Sequence, residues 1–313
     1  MNGILVINKP SGMTSHDIII QLRRILQEKK AGHTGTLDPD ATGVLPVCLG
    51  KATKIIQFLE DNEKGYEGTM TLGVTTDTMD ASGQIIKVSG TAGLKLDDVK
   101  RVSANFIGEI DQIPPMVSAI KVNGKRLYEI ARQGKTIERT PRKIRIYELK
   151  LTRFYEEKIT NIDPSRLFAK VDFQVLCSRG TYIRSLVSDI GDTLGCGAHL
   201  SKLVRTRSGC FTIADSIGLE EIQTEPQKAL LSLRSIDDAL SFMPSIAISD
   251  PDRRKFLNGV QIDLSDDLIY NNEIKPDALV RIHDMTETLL GIAKVTQLKT
   301  AFKPIKVLSQ EGI

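Results

Sequence analysis

Apolar segments of strand length recur along this chain: GILVIN (3–8), VLPVCL (44–49), GYEGTMTLGV (65–74), QIIKVS (84–89), KIRIYELKLTRF (143–154) and LFAKVDFQVLC (167–177). They are short, bounded by turn residues and rich in Val, Ile, Thr and aromatics, which favours strands over helices. Helical spacing is confined to stretches between them. From Ser15 the apolar positions Ile18, Ile19, Leu22, Ile25 and Leu26 fall on one face, with Thr14 and Asp17 as a capping pair. KATKIIQFLED (51–61), KLDDVKRVSANF (95–106) and YIRSLVSDIGDTLG (182–195) are further helix candidates. QIIKVS follows GYEGTMTLGV across a turn-rich TTDTMDASG, without a crossover helix. That order favours an α+β fold, a mixed and largely antiparallel sheet flanked by helices, over a doubly wound one.

A length of 313 residues predicts two domains. The boundary is placed near SFMPSIAIS (241–249), after which VQIDL, ALVRIHD, TLLGIAKV and KPIKVL suggest a small C-terminal β-barrel. The formal charge of +3 is unevenly spread: residues 1–213 hold 31 Lys+Arg against 23 Asp+Glu, and residues 214–313 hold 11 against 16. A polyanionic partner should therefore meet the first part. No apolar run approaches the ~20 residues of a membrane helix, and the opening MNGILVINKP is too short in apolar residues for a secretory signal. The expectation is a cytoplasmic protein with no membrane contact. Cys48, Cys177, Cys196 and Cys210 form no CxxC pair and are expected as buried thiols, with no metal site implied.

GHTGTLDPDATGVL (32–45) carries Asp38 and Asp40 with no Lys or Arg among Gly, Thr and Pro. Three chemistries fit such a loop. As an EF-hand-like site it would use Asp38, Asp40 and Thr42 with Gly43 at the sixth position, but Leu49 stands where a bidentate Glu is required. As a D-x-D-x-T phosphatase motif it should follow a hydrophobic strand, and GHTGTL is none. As a plain turn, Asp-Pro beside Gly is ordinary loop chemistry.

A larger pattern bears on the choice. INKPSGMTSHD (7–17), GHTGTLDPDATGVLPVCLGKATK (32–54), KGYEGTMTLGVTTDTMDASG (64–83), PPMVSAIKVNGKRLYEIARQGK (114–135), CSRGTYIRSLVSDIG (177–191) and AHLSKLVRTRSG (198–209) stand in one order over nearly the whole chain. Together they resemble the TruB family of tRNA pseudouridine synthases. The resemblance implies isomerisation of uridine to pseudouridine at position 55 in the T-loop of tRNA, with no metal, nucleotide or redox cofactor. It implies a catalytic domain over residues 1–240 with a basic insertion at about 121–150, and a PUA-like RNA-binding domain over 245–313.

By match, Asp38 is the nucleophile; attack on C1′ of the sugar and on C6 of the base both remain open. Asp is an anion at neutral pH, so no activating base is needed, but its burial requires a cationic partner. The resemblance assigns that role to Arg184, whose planar fork can hold a carboxylate bidentately. It also implies that Tyr66 stacks on the flipped uracil and sets its hydroxyl near the C5 proton. Tyr182 and Leu203 line the same pocket, His33 fills the gap left by the flipped nucleotide, Asp80 contacts RNA or supports the site, and Lys9 supports the loops or a phosphate. Flipping a stacked uridine costs a few kcal/mol. Residues 121–158, with 12 Lys+Arg against 5 Asp+Glu, match an RNA-closing insertion. The T-arm of tRNA is then the partner, no protein partner is obligatory, and the protein is a monomer. The rival reading is a non-catalytic tRNA-binding or RNA-folding protein on the same scaffold.

Overall fold

The computed structural model describes residues 1–60, 63–118, 120–122, 124–159, 162–263, 274–296 and 301–308. In chain order the first part contains β1 (Gly3–Lys9), α1 (Ser15–Leu26), β2 (Ala31–His33), β3 (Thr42–Leu49), α2 (Ile56–Glu60), β4 (Lys64–Leu72), β5 (Val74–Thr76) and β6 (Ile85–Val88). There follow α3 (Leu96–Ser103), β7 (Gly108–Gln112), β8 (Lys121–Val122), β9 (Lys125–Arg126), α4 (Leu127–Ala131), β10 (Arg142–Ile159), β11 (Asp163–Cys177), α5 (Ile183–Thr193), β12 (Ala198–Ser208), β13 (Phe211–Thr212) and β14 (Ile217–Gly218). The central sheet has ten strands, with the path β14-β1-β3-β12-β4-β11-β10-β7 and with β2 and β13 attached to β3 and β12. Only the β1–β14 and β12–β3 pairings are parallel, so the sheet is mixed and largely antiparallel.

Three short helices, α6 (Leu219–Thr224), α7 (Gln227–Leu231) and α8 (Ile236–Ala239), lead to β15 (Ser245–Ile248), where a second sheet begins as the residue pattern predicts. With α9 (Asp250–Leu257), β16 (Ile262–Asp263), β17 (Leu279–Asp284), β18 (Leu289–Val295) and β19 (Ala301–Val307), this five-stranded sheet runs β15-β17-β18-β19-β16 as a curled half-barrel. Part of the predicted VQIDL strand, at Leu264, lies outside the described residues. No helix among the described residues is long and apolar enough to cross a membrane.

Local sequence accounts for the elements nearest the site. In α1, the Thr14 hydroxyl accepts from the Asp17 N–H while the Asp17 carboxylate accepts from the Thr14 N–H, a reciprocal cap of the kind that stabilises a helix start by roughly 0.5–2 kcal/mol. Ile18, Ile19 and Leu22 on its inner face are buried against the sheet. Burial of each such side chain contributes about 1.5–3 kcal/mol. The helix expected over 51–61 is, in its described residues, a 3-10 turn (Gly50–Ile55) followed by the five-residue α2, while Asp61 lies outside the described residues. Gly and the β-branched Thr53, Ile55 and Ile56 are poor helix formers, and the Thr53 hydroxyl holds the Gly50 carbonyl at 2.7 Å. Cys48, Cys177 and Cys196 are buried, but Cys210 is exposed, which corrects the uniform expectation: it follows Gly209 in the turn joining β12 to β13.

β1 and β3 are buried on both faces. Leu5, Ile7, Leu45 and Val47 enter the main core, whereas Ile4, Val6, Val44 and Cys48 pack with Met243, Ile292 and Leu308 of the C-terminal part. Polar side chains reinforce that contact: Arg281 and His283 on β17 both reach the Asp237 carboxylate of α8, at 2.7 and 3.0 Å.

Gly43 brings β3 against β12. Its φ is +100°, and a Cβ there would stand 2.2 Å from the Arg205 carbonyl oxygen. Gly43→Ala should therefore lower the unfolding free energy by roughly 2–4 kcal/mol, combining left-handed strain with a backbone clash. Urea denaturation followed by circular dichroism checks this; a change below about 0.5 kcal/mol, the range of an ordinary surface substitution, would contradict the close approach.

Candidate active site

The loop between β2 and β3 is fixed to the segment between β1 and α1. The Ser15 hydroxyl accepts from the Leu37 N–H at 2.8 Å and donates to the Leu37 carbonyl at 3.2 Å. The Pro39 carbonyl accepts from the Gly12 N–H and from Lys9 Nζ, at 3.0 and 2.8 Å. Asp38 is thus held on both sides by backbone-directed bonds, and capping of α1 at Thr14 places Ser15 to make two of them. Asp40 faces solvent. Asp38 does not stand at the end of a long core strand, as an aspartyl-phosphatase nucleophile would.

Across the molecule, the N-terminus of α5 delivers Arg184, 5% exposed at its side chain. Its Nε meets Asp38 Oδ2 at 2.9 Å and its Nη2 meets Asp38 Oδ1 at 3.2 Å, a bidentate pair. Nη2 also donates to the Val117 carbonyl at 2.9 Å, while Nη1 donates to the Thr78 carbonyl at 3.1 Å and lies 3.4 Å from Asp80 Oδ2. The five N–H groups of the guanidinium thus face five acceptors. The other Asp80 oxygen accepts from the Thr78 hydroxyl, the Ser82 N–H and the Ser82 hydroxyl, so Asp80 is itself fixed by its turn. Burial pushes the Asp38 carboxyl above its ordinary pKa; Arg184 opposes this and Asp80 adds to it. The Asp38 side chain nevertheless keeps 44% of its surface accessible, through a cavity.

That cavity has a volume of about 350 Å³ and is walled by the Asp38 loop, Tyr66, Tyr182, Leu203, Lys64 and Arg205, among others. Tyr66, on β4, is buried, and burial raises its hydroxyl pKa while the charge of Arg205 opposes the rise. Tyr182 caps α5, its peptide clamped by Gln112, whose amide accepts from the Tyr182 N–H at 2.8 Å and donates to the Tyr182 carbonyl at 3.0 Å.

Asp38, Arg184, Tyr66, Tyr182 and Leu203 therefore come together, with Asp80 behind Arg184. Lys9 and His33 stand outside the cavity wall. The Lys9 ammonium is fully buried and gives its three N–H groups to the carbonyls of Pro10, Met13 and Pro39, at 2.7–2.8 Å, leaving none for a phosphate. These bonds tie the start of the β1–α1 segment to the Asp38 loop. His33 is half-buried beside the loop, Nδ1 accepting from the Gly35 N–H at 3.3 Å, and burial lowers its pKa.

Arg205 was not foreseen as a site residue. It is buried; Nε donates to the Val44 carbonyl at 2.7 Å, Nη2 to the Gly35 carbonyl at 3.0 Å and Nη1 to the Thr36 carbonyl at 3.4 Å, joining β12 to the Asp38 loop. Lys64 was also missed. Among the described residues, no group of three or more His, Cys, Asp or Glu is arranged to hold a metal ion.

Comparison with known proteins finds relatives over nearly the whole chain. A family model described as TruB family pseudouridylate synthase, N-terminal domain, matches residues 23–183, and one described as tRNA pseudouridylate synthase B C-terminal domain matches residues 184–240. The chain is 42% identical to tRNA pseudouridine synthase B of Bacillus cereus, over 98% of this chain and 97% of that one. It is 41% identical to the protein of the same name from Staphylococcus aureus, over 98% and 99%. Among solved structures, a chain of a Cbf5-Nop10-Gar1 complex is similar with a TM-score of 0.72 and 28% identity, over 98% of this chain and 85% of that one.

The electrostatics predict the outcome of removing the guanidinium. In Arg184→Met, desolvation and Asp80 both push the Asp38 carboxyl up with nothing of comparable strength to oppose them, so its pKa rises above the wild-type value. A carbon-13 NMR titration of the Asp38 carboxyl reads this directly, and an unchanged midpoint would show that the pair does not control ionisation.

Proposed function

This chain belongs to the TruB family of pseudouridylate synthases, and from that premise we propose that it converts uridine to pseudouridine at position 55, in the T-loop of tRNA. One observation carries the assignment of chemistry: Asp38, held bidentately by Arg184, faces a cavity that Tyr66 also lines and whose volume can take a nucleotide base. The reaction breaks the bond between C1′ and N1, turns the base and rejoins it through C5. A carboxylate nucleophile, anionic without an auxiliary base, suits it.

In this reading Asp38 attacks, Arg184 keeps it ionised and aimed, and Asp80 positions Arg184. Tyr66 stacks on the uracil, with Tyr182 and Leu203 closing the pocket around it. The target uridine swings out of its stack to reach them, with His33 beside the entrance filling the vacated space. No metal, nucleotide or redox cofactor takes part. The basic stretch from 121 to about 150 supplies phosphate contacts, and its flank already touches the site: the Val117 carbonyl accepts from Arg184. Residues 1–240 act as the catalytic domain and 245–313 as a PUA-like RNA-binding domain, in a cytoplasmic monomer without an obligatory protein partner. A non-catalytic RNA-binding protein would have no need for a desolvated Asp–Arg pair facing a cavity.

The test is an isomerisation assay on a T-arm stem-loop. Wild type forms pseudouridine, whereas Asp38→Asn loses turnover to the detection limit and retains RNA binding. An inactive wild type would favour the binding protein instead. Because Asp38 must be ionised and its pKa is raised, activity falls as pH drops through a midpoint above that of an ordinary Asp, ~3.9. A second substrate keeps the uridine but abolishes the loop fold; turnover on it should fall sharply, and equal rates would contradict recognition by shape.

A further inference from the structure

The cavity contains a cation that the Asp38–Arg184 pair does not use. Lys64 opens β4 two residues before Tyr66, so the two side chains leave the same face of the strand. It is 6% exposed and lines the cavity. On β12, Ser208 stands opposite Lys64 and Arg205 opposite Tyr66, with a bulge between Arg205 and Arg207 keeping both pairs in register. The Lys64 ammonium donates to the Ser208 hydroxyl at 2.9 Å, and this is its one hydrogen bond among the described residues. The contrast with Lys9, whose three N–H groups all meet carbonyls, is chemical. An ammonium with one of three donors used, at the wall of a cavity, is costly to desolvate until an acceptor arrives.

Resting on the pseudouridine synthase reading above, we propose that Lys64 donates a hydrogen bond to an exocyclic oxygen of the bound uracil and stabilises the negative charge that develops on the base. If Asp38 attacks C1′, its carboxylate charge is consumed in the new ester bond. The electron pair of the broken C1′–N1 bond leaves with the uracil, whose charge spreads over O2, N1 and O4. Bonding of C5 to C1′ then expels the carboxylate, and loss of the C5 proton with protonation of N1 completes the isomer. If Asp38 instead adds to C6, the displaced pair also moves through C5 and C4 to O4. Both routes place charge on an oxygen that a fixed ammonium can meet, and preorganised donors of this kind contribute about 10²–10³-fold to a rate.

Lys64 is faced by Arg205 from β12, Glu60 from the end of α2, Cys177 from β11 and Cys210 beyond β12. Burial, with Arg205 adding to it and Glu60 opposing, lowers its pKa to about 8. The cation is present at neutral pH and is lost as pH rises through that value.

The experiment uses the full chain and a T-arm stem-loop, with single-turnover rate, RNA affinity and a rate profile from acid to alkaline pH for wild type, Lys64→Met and Lys64→Arg. Lys64→Met should slow the chemical step about 10²–10³-fold with affinity near wild type. Lys64→Arg should recover much of that rate and lose the alkaline limb, because its charge does not titrate. Full rate in Lys64→Met, or rate and affinity lost in proportion, overturns the proposal. So does a wild-type alkaline limb persisting in Lys64→Arg, which decides the matter even if Lys64→Met fails to fold. An inactive wild type would instead sink the parent reading; active wild type with insensitive Lys64 variants sinks this inference alone.

Discussion

A single desolvated guanidinium organises the site. Arg184 is removed from water, and every one of its N–H groups must find an acceptor in return. Those acceptors come from the Asp38 loop, the Asp80 turn and Val117 near the basic stretch. Loss of either carboxylate would leave a buried positive charge undercompensated. The arrangement therefore stabilises itself collectively: the guanidinium that opposes the effect of burial on Asp38 also gathers three separate stretches of chain.

Around this centre, backbone carbonyls do much of the positioning. Lys9 holds three of them, Arg205 three more, and Ser15 grips both polar atoms of the Leu37 peptide. Loop residues ordinarily move more than the elements they connect. Here the Asp38 loop is fastened from β1, α1 and β12, so the carboxylate is held in place with little reorganisation left to do.

Much of the architecture is legible in the residues. The Thr14–Asp17 cap and the period of the following apolar residues define α1, and the switch to short strands after residue 244 marks the second sheet. Local pattern could not pair Asp38 with Arg184, which lie 146 residues apart; the family resemblance named both, and the coordinates bring them together. Arg205 escaped for a different reason. In LVRTRSG its inward direction depends on bulges between Leu200 and Lys202 and between Arg205 and Arg207, each of which resets the alternation that a strand would otherwise impose. Lys64, the first residue of its strand, carries no pattern of its own. Fine helical structure over 51–61 also failed to follow from spacing, because poor helix formers there yield to a 3-10 turn.

The double-sided burial of β1 and β3 ties the ends of the molecule mechanically. Ile292 and Leu308 pack on one face of β1 and β3, the second of which receives the Asp38 loop, and the main core packs on the other. Displacing the half-barrel therefore either parts that shared apolar seam or shifts β3, on which the Asp38 loop ends. The second sheet is thus coupled through that seam to the loop that carries Asp38.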